Sequence, residues 1–370
     1  MDIARQRLHR TFLAGSSHAT GRDVVRALGA VQAQDYEGAK WALSMRTSGA
    51  TNAELEQEFD SGAILRTHVL RPTWHFVDPV DIRWMLALTG PSVMKRMAVY
   101  NRRLGLEETM FRRSRSVLEK ALRDGTYLTR PELRTLLESK VGPLGAGFQG
   151  NQRMAHLMMR AELEGLICSG ARRNKQFTYV LLDERAPPTA SLERDEALLE
   201  LTRRYFRARS PATPQDFSWW SGLTVSEAKR GIDIAGADLE PVAIDDVKYW
   251  VHGDVPSRAR PSAHLLPNYD EFFIGYRDRN AIGRRLKSAR MVTGGSALIA
   301  YVIAVDGQLV GGWKRSPGRD VVKLELNLLD RLTTAEEKRV LAEVRRFEAF
   351  VGRAVELHRF AARRSARTAR

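Results

Sequence analysis

Three times along this chain the same local pattern recurs, and this repetition constrains the fold more than any single segment. Each time, helices opened by a Thr and closed by an acid three residues later lead into a pair of short strands. The first copy opens with an amphipathic helix through Ile3, Leu8 and Phe12. Thr20-Gly21-Arg22-Asp23 caps the next helix, with its acid at the helix's positive end. Tyr36 to Met45 reads as helix, and Thr51-Asn52-Ala53-Glu54 is a capping box opening another. The run Ile64 to Val77, rich in β-branched and aromatic residues, reads as two short strands broken at Pro72.

The other copies follow the same order. Asp78-Pro79-Val80-Asp81 predicts the start of a linking helix with proline at its first position. A basic stretch follows with Lys95, Arg96, Arg102, Arg103, Arg112, Arg113 and Arg115, which reads as a solvated face or as a phosphate-contacting one. In the second copy, Thr129-Arg130-Pro131-Glu132 is a capping box, Gln149 to Glu164 a long helix ended by Gly165, and 166–168 pairs with 177–181. In the third copy, Thr213 and Thr224 cap two successive helices, and 239–244 pairs with 247–252. Helix, capped helix, capped helix and β-ribbon is the winged helix-turn-helix plan. From Pro261 the composition shifts to alternating strands. Asp306-Gly307 between apolar runs predicts a tight hairpin, a helix spans 335–350, and Arg359, Arg363, Arg364, Arg367 and Arg370 form a basic tail.

The expected fold is therefore mixed α and β, mainly α. Residues 1–90 form a first winged-helix unit, 91–186 a linker and second unit, 187–258 a third unit, and 259–370 a small α+β unit with hairpin, helix and tail. The 370 residues allow several such units. Lys and Arg total 59 against 44 acids, a formal charge of +15, which draws a protein towards polyanions such as DNA or RNA. No apolar run approaches the roughly 20 residues that span a bilayer. The single cysteine, Cys168, permits no internal disulfide and fits a reducing cytoplasm, nucleoid-associated if DNA is the partner. The eight histidines lack metal-ligand spacing and no phosphate-binding Gly-rich loop occurs, so neither metal nor cofactor is expected.

One stretch stands out chemically. Val31-Gln32-Ala33-Gln34-Asp35 holds two glutamines one residue apart, and an extended backbone points both amides to one side. The following ribbon carries His68, Arg71, Trp74 and His75. A polar pair beside a basic, aromatic ribbon suits a site against nucleic acid; hydrogen bonding that trims a helix junction is the other reading. His68, Arg71 and His75 are candidate phosphate or lesion contacts, with satisfied ribbon histidines as the alternative. Trp74 is expected to pack, and Tyr269 and Asp270 to support the site. Lys314 and Arg315, at the base of the Asp306-Gly307 hairpin, are candidates for contacting a DNA groove, against an ordinary sheet edge.

With Leu28 to Asp35, Arg66 to Phe76, Leu265 to Asp270 and Gly275 to Arg279 in view, the chain resembles the AlkZ-type winged-helix DNA glycosylases, named for an enzyme that unhooks interstrand cross-links. The resemblance covers essentially the whole length. It implies three winged-helix units in a C-shaped arrangement with a DNA-sized concave face, excision of N7-alkylated purines, and a catalytic glutamine–aliphatic–glutamine motif matched by Gln32 and Gln34. Relatives with aspartate at the second position exist; Gln34 leans this chain to the cross-link-unhooking, self-resistance branch. The implied partner is double-stranded DNA bearing N7-alkylpurine lesions or cross-links, met by a monomer. Two other classes compete: a winged-helix transcriptional regulator, which usually needs a dimer and symmetric half-sites, and a protein that sequesters lesions without cleaving them.

Overall fold

The computed structural model describes residues 2–15, 17–253, 260–286 and 301–360, and the architecture is mixed α and β, rich in helix. The first segment comprises α1 (Ile3–Arg10), α2 (Gly21–Leu28), β1 (Val31–Gln32), α3 (Tyr36–Ser44), α4 (Asn52–Ser61), β2 (Leu65–His68) and β3 (Trp74–Val77). Thr20 with Asp23 and Thr51 with Glu54 form reciprocal capping boxes, as their spacing predicts. Gly29 (φ 81°) ends α2, and Asp35 caps α3 by accepting from the Gly38 N–H. Held between these two stops, the chain extends just long enough for β1 to pair antiparallel with β3, giving the sheet order β1-β3-β2.

The middle of the chain contains α5 (Ile82–Arg103), α6 (Glu108–Ala121), β4 (Leu128–Thr129), α7 (Arg130–Lys140), α8 (Gly147–Leu163), β5 (Ile167–Arg173), β6 (Gln176–Leu181) and α9 (Leu182–Arg185). Helix α5 begins at Ile82, later than Asp78-Pro79 predicts. The Asp78 carboxylate instead accepts from the Val80 N–H (2.9 Å) and from Arg22 Nε (2.9 Å), so it ties a turn to α2. The apolar first half of α5 is buried, whereas its basic second half, with Lys95, Arg102 and Arg103, is exposed.

Next come α10 (Arg194–Arg209), α11 (Pro214–Ser221), α12 (Val225–Ala235), β7 (Glu240–Ile244) and β8 (Val247–Val251). Capping boxes at Thr213 and Thr224 start α11 and α12, and Gly222 (φ 71°) ends α11. The C-terminal part holds β9 (Ala263–Leu266), α13 (Glu271–Ile274), β10 (Val302–Val305), β11 (Gln308–Pro317), β12 (Val321–Leu328), α14 (Thr334–Val351) and β13 (Ala354–Phe360). Asp306 (φ 50°) and Gly307 (φ 80°) make the tight turn between β10 and β11 that the sequence predicts. The five strands run β13-β12-β11-β10-β9, with β13 parallel to β12 across α14. The sequence reading assigned 354–360 no strand, and the basic tail residues Arg363, Arg364, Arg367 and Arg370 lie outside the described residues. Among the described residues no helix is long and apolar enough to cross a membrane.

Two packing arrangements position the site. Trp41, 1% exposed, packs on Phe347 and Phe350 of α14 and donates its indole N–H to the Leu265 carbonyl (2.7 Å), joining the N-terminal helices to the C-terminal sheet. An indole of that size contributes about 4–6 kcal/mol of gross burial before entropy is charged. Arg46 and Asp270 lock the same junction through a buried two-pronged ion pair (2.8 and 2.9 Å). In the second arrangement, Leu65 and Leu70 share a core with Tyr205, Phe217 and Trp220, which brings α10 and α11 under the β2–β3 loop.

Candidate active site

Strand β1 places the first glutamine. Its register sets Gln32 opposite His75 of β3. Gln32 is 5% exposed, and both its ends are held. The backbone N–H donates to Glu271 Oε1 (3.0 Å), and the side-chain carbonyl Oε1 accepts from Arg71 Nη2 (2.6 Å). Gln34 is exposed, and its Oε1 accepts a long bond from the Trp74 N–H (3.4 Å). Both amides thus meet the same β2–β3 hairpin.

Arg71 sits in the loop of that hairpin, after Leu70 in the left-handed region (φ 63°). Its Nη1 donates to the carbonyls of Trp219 (3.3 Å) and Trp220 (3.1 Å), which belong to the last turn of α11. Such terminal carbonyls lack intrahelical partners and carry negative potential, so a cation suits them. Burial, opposed by nearby Glu271, pushes Arg71 down to about 10, and it stays charged at neutral pH. The guanidinium is engaged with protein acceptors, where the sequence reading expected a phosphate.

Beneath lies a hub that the sequence reading missed. Glu271, fully buried, accepts from Gln32 N–H with one oxygen; with the other it accepts from Arg209 Nη2 (2.5 Å) and Trp220 Nε1 (2.9 Å). Arg209 also donates to the Leu28 carbonyl (2.8 Å) and lies over the Trp220 ring. Arg66 of β2, another residue given no role beforehand, donates to the Ala33 carbonyl (3.1 Å) between the two glutamines. It stacks against Trp74 and Phe177, and burial pushes it down to about 10. Its one sequence signal is its place at the head of the Arg66 to Phe76 run that carries the family resemblance.

Of the two readings of the histidines, phosphate or lesion contacts and satisfied ribbon histidines, this conformation has the geometry of the second. His75 is wholly enclosed, and its Nδ1 donates to the Thr73 carbonyl (2.9 Å). A carbonyl only accepts, so the proton sits on Nδ1 and Nε2 is an acceptor. Burial, reinforced by Arg71, holds His75 well below its ordinary value, so the ring is neutral. His68, 5% exposed, bonds through Nδ1 to the buried Glu162 carboxylate, which also accepts from Trp74 Nε1 (3.3 Å). In this conformation His75 offers no surface to a phosphate and His68 almost none. Trp74 packs on the His68 ring at 4.3 Å, as expected of a packing residue.

Arg315 and Lys314 part company on β11. Arg315 reaches Asp35 Oδ1 (3.6 Å), and the Tyr301 hydroxyl donates to the other oxygen of Asp35. Asp35, already capping α3, is thereby tied to the motif's outer edge. Lys314, next along the strand, faces the other way and is exposed, apart from the glutamines. Among the described residues no carboxylate hydrogen-bonds either glutamine side chain. What the site offers is two neutral amides backed by a cation, a buried carboxylate and aromatic walls.

The chain belongs to a class of DNA-acting enzymes. Residues 25–350 match the AlkZ-like DNA glycosylases, and the chain is a member of that family, whose enzymes hydrolyse N-glycosyl bonds. Among its relatives is the interstrand DNA cross-link repair glycosylase of Streptomyces sahachiroi, 23% identical over 318 residues, which span 83% of this chain and 85% of that protein. The solved structure of Streptomyces sahachiroi DNA glycosylase AlkZ is similar in fold, with a TM-score of 0.77, 20% identity, and coverage of 97% of this chain and 98% of the other.

Proposed function

We propose that this protein is a monofunctional glycosylase that excises cationic N7-alkylpurines from double-stranded DNA, including unhooking of N7-linked interstrand cross-links, in repair of or self-resistance to an alkylating agent. The helix-and-ribbon segments act as three winged-helix units forming a concave DNA-binding face, and the protein works as a monomer. Gln32 and Gln34 are the catalytic pair.

The supporting observation is the neutrality of the site: two amides, with no carboxylate bonded to either side chain among the described residues. An amide is neither a useful acid nor a base near neutral pH. It can orient water and direct a dipole at developing positive charge. Most glycoside chemistry relies on paired carboxylates instead. Amides suffice when the leaving group is already activated. In an N7-alkylguanine the bond from C1′ to N9 breaks, its electron pair neutralises the purine's positive ring, water adds to C1′, and the water's proton passes to solvent. A regulator reading accounts less well for two amides held by buried partners at such a site.

Single-turnover assays on N7-methylguanine and uracil duplexes, with borohydride present, test this. N7-methylguanine should be released to leave an intact abasic site, uracil should persist because it departs as an anion, and no covalent adduct should form. Gln34→Ala should slow release tenfold or more, about 1.4 kcal/mol of barrier. Comparable uracil removal, a trapped Schiff base, or unchanged rates in both Gln→Ala variants would refute the reading.

A further inference from the structure

The two glutamines are not chemically equivalent, because one of them has lost the use of its carbonyl. An arginine has donors only, so whatever atom Arg71 Nη2 meets at 2.6 Å must be the acceptor end of the Gln32 amide. That fixes the amide's orientation: oxygen towards Arg71, nitrogen away. Arg71 cannot readily swing aside, since its other terminal nitrogen is bonded to two carbonyls at the end of α11. The Gln32 backbone is equally constrained by Glu271 and by pairing with β3. Among the described residues no protein acceptor takes the Gln32 amide nitrogen.

Resting on the catalytic reading above, we infer that Arg71 is a positioning residue that turns Gln32 into a hydrogen-bond donor to the lesion nucleotide, leaving the carbonyl work to Gln34. A carbonyl already bonded to a guanidinium is a poor partner for a developing sugar cation, because the guanidinium charge lies directly behind it. The same contact polarises the amide and strengthens its N–H groups as donors. The chemistry they recognise is an acceptor atom on the lesion nucleotide, on the purine or the sugar. Gln34 differs in each respect. It is exposed, its one side-chain hydrogen bond among the described residues is a long one from a backbone N–H, and little holds its carbonyl from turning towards water or the sugar.

Isosteric substitution separates donor from acceptor. Gln32→Glu keeps an oxygen for Arg71 and removes the N–H groups, so its single-turnover excision of N7-methylguanine should fall as far as that of Gln32→Ala, tenfold or more. Gln34→Glu retains an acceptor, so its loss should be smaller than that of Gln34→Ala. Gln32→Glu near the wild-type rate, with Gln32→Ala slow, would overturn the inference while leaving the catalytic pair intact. Unchanged rates in Gln32→Ala and Gln34→Ala would remove the catalytic reading itself, which keeps the two failures distinct. Arg71→Ala tests the positioning arm without altering either glutamine. Its excision should slow tenfold or more and recover with millimolar guanidinium, while the slope of log affinity for undamaged duplex against log salt stays at the wild-type value. A slope shallower by about one would make Arg71 a phosphate contact and overturn the assignment. Failure of guanidinium to restore the rate would overturn it as well.

Discussion

Replacing Glu271 with alanine removes the acceptor common to three donors at the heart of the site. Arg209 and Glu271 are both fully buried, so the substitution leaves a cation without its counter-charge in the interior. Breaking a buried pair from one side costs about 3–5 kcal/mol. Arg209 keeps its bond to the Leu28 carbonyl and its stacking on Trp220, which holds that part near the lower limit. The Gln32 N–H and the Trp220 indole N–H also lose their acceptor, each worth about 1–3 kcal/mol if no water replaces it. A loss of at least about 3 kcal/mol is therefore expected. Urea unfolding followed by tryptophan fluorescence reads it, with Trp220 as a reporter inside the network. The double variant Glu271→Gln with Arg209→Met neutralises both charges and keeps an acceptor for Gln32, so it should recover most of the loss. A loss under about 1 kcal/mol for Glu271→Ala, or a double variant no better than the single, would refute the role of charge pairing.

Two further outcomes follow from the packing. A Cβ at Gly222 would stand 2.0 Å from the Leu70 carbonyl, at a φ of +71° that side chains rarely adopt, so Gly222→Ala should cost more than about 1 kcal/mol and also slow excision by displacing the loop that carries Arg71; thermal melts and single-turnover rates on the same preparation check both. Burial, opposed by Arg346, raises the Glu343 carboxyl from 4.5 to about 7, so the folded protein holds a proton that the unfolded chain releases and stability falls as pH rises through 4.5 to 7. Glu343→Gln should therefore gain stability relative to wild type across that window, by on the order of a few kcal/mol; unfolding at pH 4.5 and 7.5 measures the difference, and the same pair of measurements on a His264→Gln background separates the contribution of that neighbour, 4.0 Å away.

Legibility in the sequence followed the distance over which an interaction acts. Capping boxes at Thr20, Thr51, Thr129, Thr213 and Thr224 were readable because donor and acceptor lie three residues apart. The Asp306-Gly307 turn was readable because two backbone angles decide it. Asp78 does close a local turn at Val80, but it also holds Arg22, 56 residues away, and the helix starts only at Ile82. Strand β13 escaped notice because its charged, half-exposed sequence pairs with β12 only across α14. At the site, the glutamine pair could be picked out, whereas its supports could not. Glu271 reaches Gln32 across 239 residues, Arg71 reaches the Trp220 carbonyl across 149, and Glu162 reaches His68 across 94. For Arg71 and His68 the sequence left open whether the partner is phosphate or protein; the packing of α11 and α8 against the ribbon gives them protein partners.

Those long-range partners also account for a glutamine pair without an acid. A carboxylate in place of Gln32 would lie beside Arg71, at a position already flanked by the Glu271–Arg209 pair. It would form an ion pair with the arginine, and its charge would be spent inside the protein. A neutral amide takes the same guanidinium bond through its oxygen and still presents two donors outward. Burying it requires no counter-charge, only the hydrogen bonds that Arg71 and Glu271 supply. The surrounding cations, Arg66, Arg71 and Arg209, would disfavour an additional cation near the sugar if they stood unpaired. Glu271 pairs with Arg209, whereas Arg71, among the described residues, meets only carbonyls and the Gln32 amide, so its charge stands behind Gln32 and the carbonyl of Gln34 is the one turned away from it. With no acid bonded to either glutamine side chain among the described residues, the pair has no proton to give a leaving group that departs as an anion. It suits a purine that brings its own positive charge and surrenders it as the bond breaks.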